Sequence, residues 1–186
     1  MIRWLTEPMW RLIALIVSQP RVADWLIQRA QRTPYFHIDG YMQRWWLFNP
    51  YPSDRSMSDA ERGRAKPIRW LPSVRIHQIL REDRAAHHHD HPWNARTIVL
   101  RGYYEEVRFE RGLHTMGELL PVTTRRDVGE TAALRYGEFH HIKRVSPLTV
   151  WTLFITWSYR GSWGFEVGGT KVPHREYEKR YPERTA

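Results

Sequence analysis

A cluster of histidines is the strongest chemical signal in the sequence. Four of the ten histidines lie in one short segment, His87, His88, His89, Asp90, His91. In an extended chain, residues two apart face the same side about 6.5 Å from each other, so His89 and His91 can bind one metal ion. His87 has the same parity, whereas His88 and Asp90 face the other way. The spacing therefore predicts a metal site built on a strand.

A second histidine pair, His140 and His141, follows the turn residue Gly137 later in the chain. Two histidines on one strand and a further histidine on a later strand suit a small barrel that presents three imidazoles to one metal ion. Adjacent strand residues face opposite sides, so only one member of the second pair can point inward. The strand pattern by itself leaves both open.

The elements that must position these histidines are mostly short strands. Turn residues separate the strand-like runs, and no helical pattern lies between them, which predicts a mainly β, antiparallel barrel or sandwich. The runs are 68–80, 95–101, 103–110, 132–135, 138–145, 148–157 and 162–167.

The first 34 residues are expected to form a helical hairpin that precedes a barrel domain at 35–186. Thr6 can cap the first helix and Pro20 begins the second, in which apolar residues recur at spacings of three and four. The hairpin is expected to pack against the barrel; the alternative is a membrane-surface helix pair with tryptophan and basic residues. Residues 49–67 have the composition of a surface loop.

Composition excludes several classes of protein. The chain has 186 residues, no cysteine and a net charge of +9, and 13% of its residues are aromatic, which excludes a disordered chain and any thiolate site. The most apolar window, 9–17, contains Arg11 and is shorter than the roughly 20 residues that span a bilayer. It also lacks a signal-peptide pattern, so a cytoplasmic protein is expected. The positive charge is spread out without a recognised motif, which disfavours a nucleic-acid-binding module.

The histidine motifs resemble those of the cupin superfamily over about residues 68–167. The first cupin motif is His-x-His before a strand that ends in glycine, and His89, His91 and Gly102 match it. The second motif has a glycine three positions before the last metal-binding histidine, and Gly137 and His140 match that spacing. The resemblance implies a jelly-roll β-barrel.

The same resemblance implies one divalent metal ion bound by His89, His91 and His140, with His141 as the less favoured third ligand. Iron(II) is the favoured metal. Zinc, nickel and manganese also bind imidazole, so the ligand types alone do not select among them. Three histidines without a carboxylate leave coordination positions open for water, oxygen or substrate.

Arg96 stands where many cupins have a metal-binding glutamate, five residues after the second histidine. A cation cannot bind the metal. The resemblance implies that Arg96 points into the barrel and binds a substrate carboxylate or phosphate. The alternative is a buried ion pair with Glu105, Glu106 or Glu138.

The thiol dioxygenases of the superfamily are similar, with three histidines on ferrous iron and an arginine for the substrate carboxylate. By that resemblance we expect a non-haem iron oxygenase for a small anionic molecule, with Tyr103 or Tyr136 as candidate donors near the metal. Metal-free sugar-nucleotide epimerisation, by a histidine base and a tyrosine acid, is a further enzymatic alternative, which the close His-x-His disfavours.

A closer resemblance is to small cupin-like proteins of tailed phages and bacteria, carried by residues 89–97, 151–154 and 163–165. This resemblance implies no particular reaction. A non-catalytic cupin that binds a metal or ligand, or is purely structural, is therefore the alternative function. Cupin barrels often dimerise by exchanging edge strands, and the aromatic stretch 41–48 is a candidate for such a homodimer contact.

Overall fold

The computed structural model describes residues 5–35, 37–51, 67–111 and 119–182. Two helices lie near the N-terminus, α1 (Glu7–Val17) and α2 (Pro20–Ala30), and a third, α3 (His174–Arg180), follows the last described strand. Both N-terminal helices have a proline in the first turn, where its missing N–H needs no partner. The predicted hairpin is thus present as two eleven-residue helices.

Strands make up most of the remaining described chain. In chain order they are β1 (Met42–Phe48), β2 (Ser73–Ile79), β3 (Trp93–Arg101), β4 (Tyr104–Arg111), β5 (Leu119–Arg126), β6 (Thr131–Leu134), β7 (His140–Val145), β8 (Val150–Tyr159), β9 (Gly164–Val167) and β10 (Thr170–Pro173). The sequence patterns do not indicate β5, β10 or α3. β5 is a mostly exposed edge strand with a proline, so it lacks the alternation of buried residues that reveals a strand.

The strands form two sheets and a hairpin, and their pairings are antiparallel. The larger sheet has the order β1-β2-β8-β3-β6, the smaller has the order β5-β4-β7, and β9 pairs with β10. Side chains of the two sheets pack together in one buried cluster, made of Ile79, Val99, Tyr104, Ile142 and Val150. The sheets therefore enclose a common interior, as the prediction of a mainly β barrel requires.

The outer face of the larger sheet is covered by the two N-terminal helices. Trp10 and Ala14 of α1 and Ile27 of α2 lie in one core cluster with sheet residues that include Ile98 and Ile155. The helices cover one face of β3, and its other face lines the barrel interior. Six consecutive residues of β3, from 95 to 100, are therefore buried. Side chains on both faces of this sheet are thus removed from water.

The described residues include only part of the predicted surface loop, and they leave the predicted homodimer contact untested. Residues 52–66 of the predicted surface loop lie outside the described residues. β1, which contains most of the aromatic stretch 41–48, is an edge of the larger sheet, and the homodimer contact stays a prediction. In the part of the chain that the structure describes, no helix has both the length and the apolar character needed to cross a membrane.

Candidate metal centre

Backbone hydrogen bonds place two of the three predicted ligands side by side. His89 and His140 exchange both of their N–H···O bonds, each 2.9 Å long, across an isolated antiparallel bridge. The chain then continues through His91 into β3, which brings a third imidazole to the same place. The structure thus unites residues that are far apart in sequence.

The three imidazoles have ring nitrogens within 4.8 Å of one another. The Nε2 atoms of His91 and His140 are 2.9 Å apart. Two nitrogens that bind one ion at about 2.1 Å lie roughly 3 to 3.4 Å from each other, so the His91 and His140 nitrogens are already close to the separation that a shared ion requires. His141 does not belong to this group.

Glu106 of β4 holds His140 in one orientation. The Nδ1–H of His140 donates to Oε1 of Glu106 at 2.8 Å, which leaves Nε2 with its lone pair directed at the other histidines. Arg108 also contacts the carboxylate of Glu106, at 3.0 Å. Burial alone would raise the pKa of Glu106, but the bond from His140 and the charge of Arg108 outweigh it and lower the pKa to about 2. Glu106 is therefore ionised.

A second buried carboxylate, Asp83, lies beside His89. Its Oδ2 lies 3.6 Å from Nδ1 of His89 and accepts the backbone N–H of Ile142 at 2.7 Å, and its Oδ1 accepts the hydroxyl of Tyr41. Burial raises the pKa of Asp83, yet the charge of His89 and these hydrogen bonds lower it overall. Both carboxylates thus lie on the Nδ1 side of a histidine, and the histidine spacing gives no indication of either one.

His89 and His91 are neutral at neutral pH, because burial lowers the pKa of both imidazoles. Burial lowers the pKa of His89 to about 4, against the opposing charge of Asp83. Burial also lowers the pKa of His91 well below its usual range, and the positive charges of His140, His89 and Arg75 act in the same direction. A metal ligand must be a neutral imidazole, so the surroundings favour the form that binds.

Two other residues of the histidine segment, His87 and Asp90, have structural partners. Nδ1 of His87 is 2.9 Å from the hydroxyl of Tyr177 in α3. Asp90, which has no exposed surface, accepts the N–H of Gly164 at 2.7 Å and contacts the ammonium group of Lys171 at 2.5 Å. These contacts fasten the segment to β9, β10 and α3.

Comparison with solved structures identifies the architecture. Vicilin from hazelnut (Corylus avellana) superposes with a TM-score of 0.50 and 12% sequence identity, over 82% of this chain and 44% of the vicilin chain. The fold is that of the cupin superfamily. Also similar is an oxalate oxidase in complex with glycolate, with a TM-score of 0.46 and 13% identity over 83% of this chain and 72% of that chain. An oxalate decarboxylase variant from Bacillus subtilis has a TM-score of 0.46 and 8% identity over 70% of this chain and 29% of its own.

This chain thus spans 29% of the oxalate decarboxylase chain and less than half of the vicilin chain. No protein-family model matches the sequence, and no curated protein sequence matches it. At identities this low, the likeness establishes the fold alone.

The structure contradicts the prediction that Arg96 points into the cupin barrel. Ala95 and Thr97 face the interior, so Arg96 between them faces the helices. Its guanidinium donates through Nη1 to Oε2 of Glu7 at 3.1 Å and through Nη2 to Oε1, and it lies 4.8 Å from the ring centroid of Trp10. Arg96 is in an ion pair, as the alternative expected, but the carboxylate belongs to α1.

The two tyrosines proposed as donors have their contacts elsewhere. Tyr103 lies in the turn between β3 and β4, where the guanidinium carbon of Arg125 is 3.6 Å from its ring centroid. Tyr136 is 40% exposed, its N–H bonds to the side chain of Asn94, and the ammonium of Lys171 lies 5.3 Å from its ring centroid. The contacts found for these two residues do not link either of them to the three histidines.

The interior of the barrel contains two basic residues that the histidine motifs do not indicate, Arg75 and His77 of β2. Both are buried, and they alternate with Val74 and Ile76, which face the helices. Such alternation of polar and apolar residues ordinarily indicates a solvent-facing side, so the sequence contained the residues without a signal that they are internal. Burial lowers the pKa of His77 well below its usual range, and the charge of Arg75 adds to this effect.

Proposed function

We propose that this cupin binds one divalent metal ion through His89, His91 and His140 and acts as a non-haem iron oxygenase on a small anionic molecule. The observation that carries the proposal is the three-histidine group, whose ring nitrogens lie within 4.8 Å of one another. Iron(II) is the favoured metal, and zinc, nickel and manganese are compatible with the same ligands.

The surroundings of the three histidines support a metal centre that permits chemistry. Glu106 fixes the tautomer of His140, so the Nε2 of that ligand is directed at the other two histidines before an ion arrives, and the carboxylate of Asp83 lies beside Nδ1 of His89. A ferrous ion held by three neutral imidazoles would supply redox chemistry with oxygen at the coordination positions the protein leaves open.

An anionic substrate is supported by the charge inside the barrel. The guanidinium of Arg75 is buried there, close enough for its charge to lower the pKa of His91 and of His77. A second guanidinium, Arg44 of β1, is also near, and burial lowers its pKa to about 10. Two guanidinium groups close together in the protein interior favour a ligand of opposite charge.

The first test is elemental analysis of the protein purified without an affinity tag or chelator. We expect near-stoichiometric metal in the natural chain and its loss in His91→Ala and in His140→Ala. His141→Ala is the matched control, because it removes the neighbouring imidazole outside the group and should retain the metal. Equal metal content in all four proteins, or no metal after reconstitution with ferrous iron or zinc, would overturn the metal centre.

The second test follows oxygen uptake by the iron-loaded protein with a panel of small thiol acids and hydroxy acids. Uptake that depends on the acid and disappears in His91→Ala supports the oxygenase. Stoichiometric metal without uptake for any acid favours instead the non-catalytic cupin that binds a metal or ligand.

A further inference from the structure

Arg75 is a buried cation without the partners that buried cations require. It is 2% exposed, and neither its Nε nor its Nη2 has a hydrogen-bond partner among the described residues. The ion pairs found among those residues do not include it. Burying an ion without compensation is costly, so a charge of opposite sign is expected at this position.

Aromatic rings surround the guanidinium on several sides. The guanidinium carbon lies between 5.2 and 5.8 Å from five ring centroids, those of Tyr35, Trp46, Tyr51, Trp93 and Phe154. We call these five residues together with Arg75 the arginine box. Ring faces stabilise the cation, but they accept no strong hydrogen bond, so the N–H groups of Nε and Nη2 stay unsatisfied.

Other polar atoms of the arginine box and of its neighbour His77 are also buried without a hydrogen-bond partner. The indole N–H groups of Trp46 and Trp93 and Nε2 of His77 are buried and have no hydrogen-bond partner among the described residues. Indole and guanidinium nitrogens can only donate. A group of buried donors around a cation is complementary to a ligand that accepts hydrogen bonds and carries negative charge.

The shape of the free edge selects the kind of anion. The Nε–H and Nη2–H bonds of a guanidinium point in the same direction, and this edge matches the two oxygens of a carboxylate. We propose that the arginine box is a binding site for the carboxylate of a small organic acid, held in a bidentate manner by Arg75.

The arginine box adjoins the three histidines. The ring of His91 stacks on that of Trp93 at 6.0 Å between centroids and 14° between planes, and the ring of Phe154 lies 6.0 Å from that of His91. Two members of the box thus contact a proposed metal ligand. Resting on the proposed function, the box then holds the acid end of the substrate while the rest of the molecule lies towards the histidines.

The test is a thermal unfolding series with acetate, at constant ionic strength balanced by chloride, on the full chain as purified and after chelator treatment. At about ten times its Kd, acetate should raise the Tm of the natural chain by about 4 °C. Arg75→Met should lose this shift without lowering the Tm in the absence of acetate. Arg96→Met, which removes a buried guanidinium on the other side of the sheet, should keep the shift.

Arg75→Lys keeps the charge but lacks the two parallel N–H bonds, so its Kd for acetate should rise at least about tenfold. An acetate shift that persists in Arg75→Met overturns the proposal, as does a Kd for Arg75→Lys equal to that of the natural chain. A Tm of Arg75→Met far below that of the natural chain would show that the guanidinium is already satisfied within the protein. A larger shift with inorganic phosphate than with acetate would overturn the carboxylate as the ligand.

The result for the metal-free chain separates this proposal from the proposed function. An acetate shift that survives chelation supports the arginine box whether or not the histidines bind iron. Metal that is present without any acetate shift overturns the arginine box and leaves the metal centre standing.

Discussion

Two buried arginines of the larger sheet emerge from opposite faces. Arg75 of β2 pairs in register with Phe154, and Arg96 of β3 pairs with Ile155, the next residue of β8. Arg75 therefore faces the barrel interior and Arg96 faces the helices. Their exposures are similar, 2% and 5%, but only Arg96 has a carboxylate partner among the described residues.

The difference between the two arginines separates a structural cation from a candidate binding group. Arg96 receives Glu7 when α1 packs on the sheet, so its charge is compensated by the fold itself. Arg75 is enclosed by aromatic rings, and its Nε and Nη2 have no hydrogen-bond partner among the described residues. A buried cation without a carboxylate partner, such as Arg75, lowers the stability of the fold unless a ligand of opposite charge binds to it.

The largest effect is expected at Glu106, a buried carboxylate that pairs with a third guanidinium, the half-buried Arg108, in a way that Arg75 lacks. Glu106→Gln should lower the free energy of unfolding by about 3 kcal/mol, because it removes the buried charge that accepts hydrogen bonds from His140 and Arg108 and leaves Arg108 paired with the partly exposed Glu138 alone. Urea denaturation measures this. Glu105→Gln, on the opposite side of the same strand and paired with Arg144 at 3.5 Å, should change it by less than about 1 kcal/mol. Equal effects would show that burial does not distinguish these carboxylates.

A smaller effect should separate the two arginines directly. Arg96→Met removes the hydrogen bonds to Glu7, and we expect the free energy of unfolding to fall by about 1 to 2 kcal/mol. Arg75→Met removes an unpaired cation and should leave the free energy of unfolding unchanged or higher. Urea denaturation of both variants in acetate-free buffer checks the order. A greater loss for Arg75→Met would reverse the comparison.

The smallest effect is the pH dependence of the Arg96 pair. The hydrogen bond with Arg96 lowers the pKa of Glu7 below its ordinary value of 4.5. A carboxylate with a lowered pKa stabilises the fold above its unfolded pKa, and this stabilisation is lost as the pH falls through the folded pKa. The Glu7 side chain is 63% exposed, so the contribution should stay below about 1 kcal/mol.

Denaturation of the natural chain and of Glu7→Gln at pH 7 and at about pH 3 measures this contribution. The natural chain should be the more stable of the two at pH 7, and the difference should shrink at the lower pH. A difference that does not change with pH would indicate that the pair acts through packing rather than charge.

The candidate metal centre shows how far sequence patterns reach. Residues two apart on a strand share a side, and a turn glycine precedes the next strand, so the His89, His91 and His140 group is predictable from spacing and resemblance together. The partners of these histidines are not. Asp83 and Glu106 become neighbours of the histidines only through the pairing of β4 with β7 and the bridge at His89, and these contacts join distant parts of the chain.

The amino-acid sequence by itself determined the β-rich class, the N-terminal helix pair and the histidine spacing, because strand alternation and helix periodicity are local properties. Which face of a strand is internal is not local. The same alternation in β2 and β3 fits either orientation, and the docking of the helices on one face and of the smaller sheet on the other decides it. Only the tertiary structure therefore assigned Arg96 to an ion pair with α1 and Arg75 to the interior of the barrel.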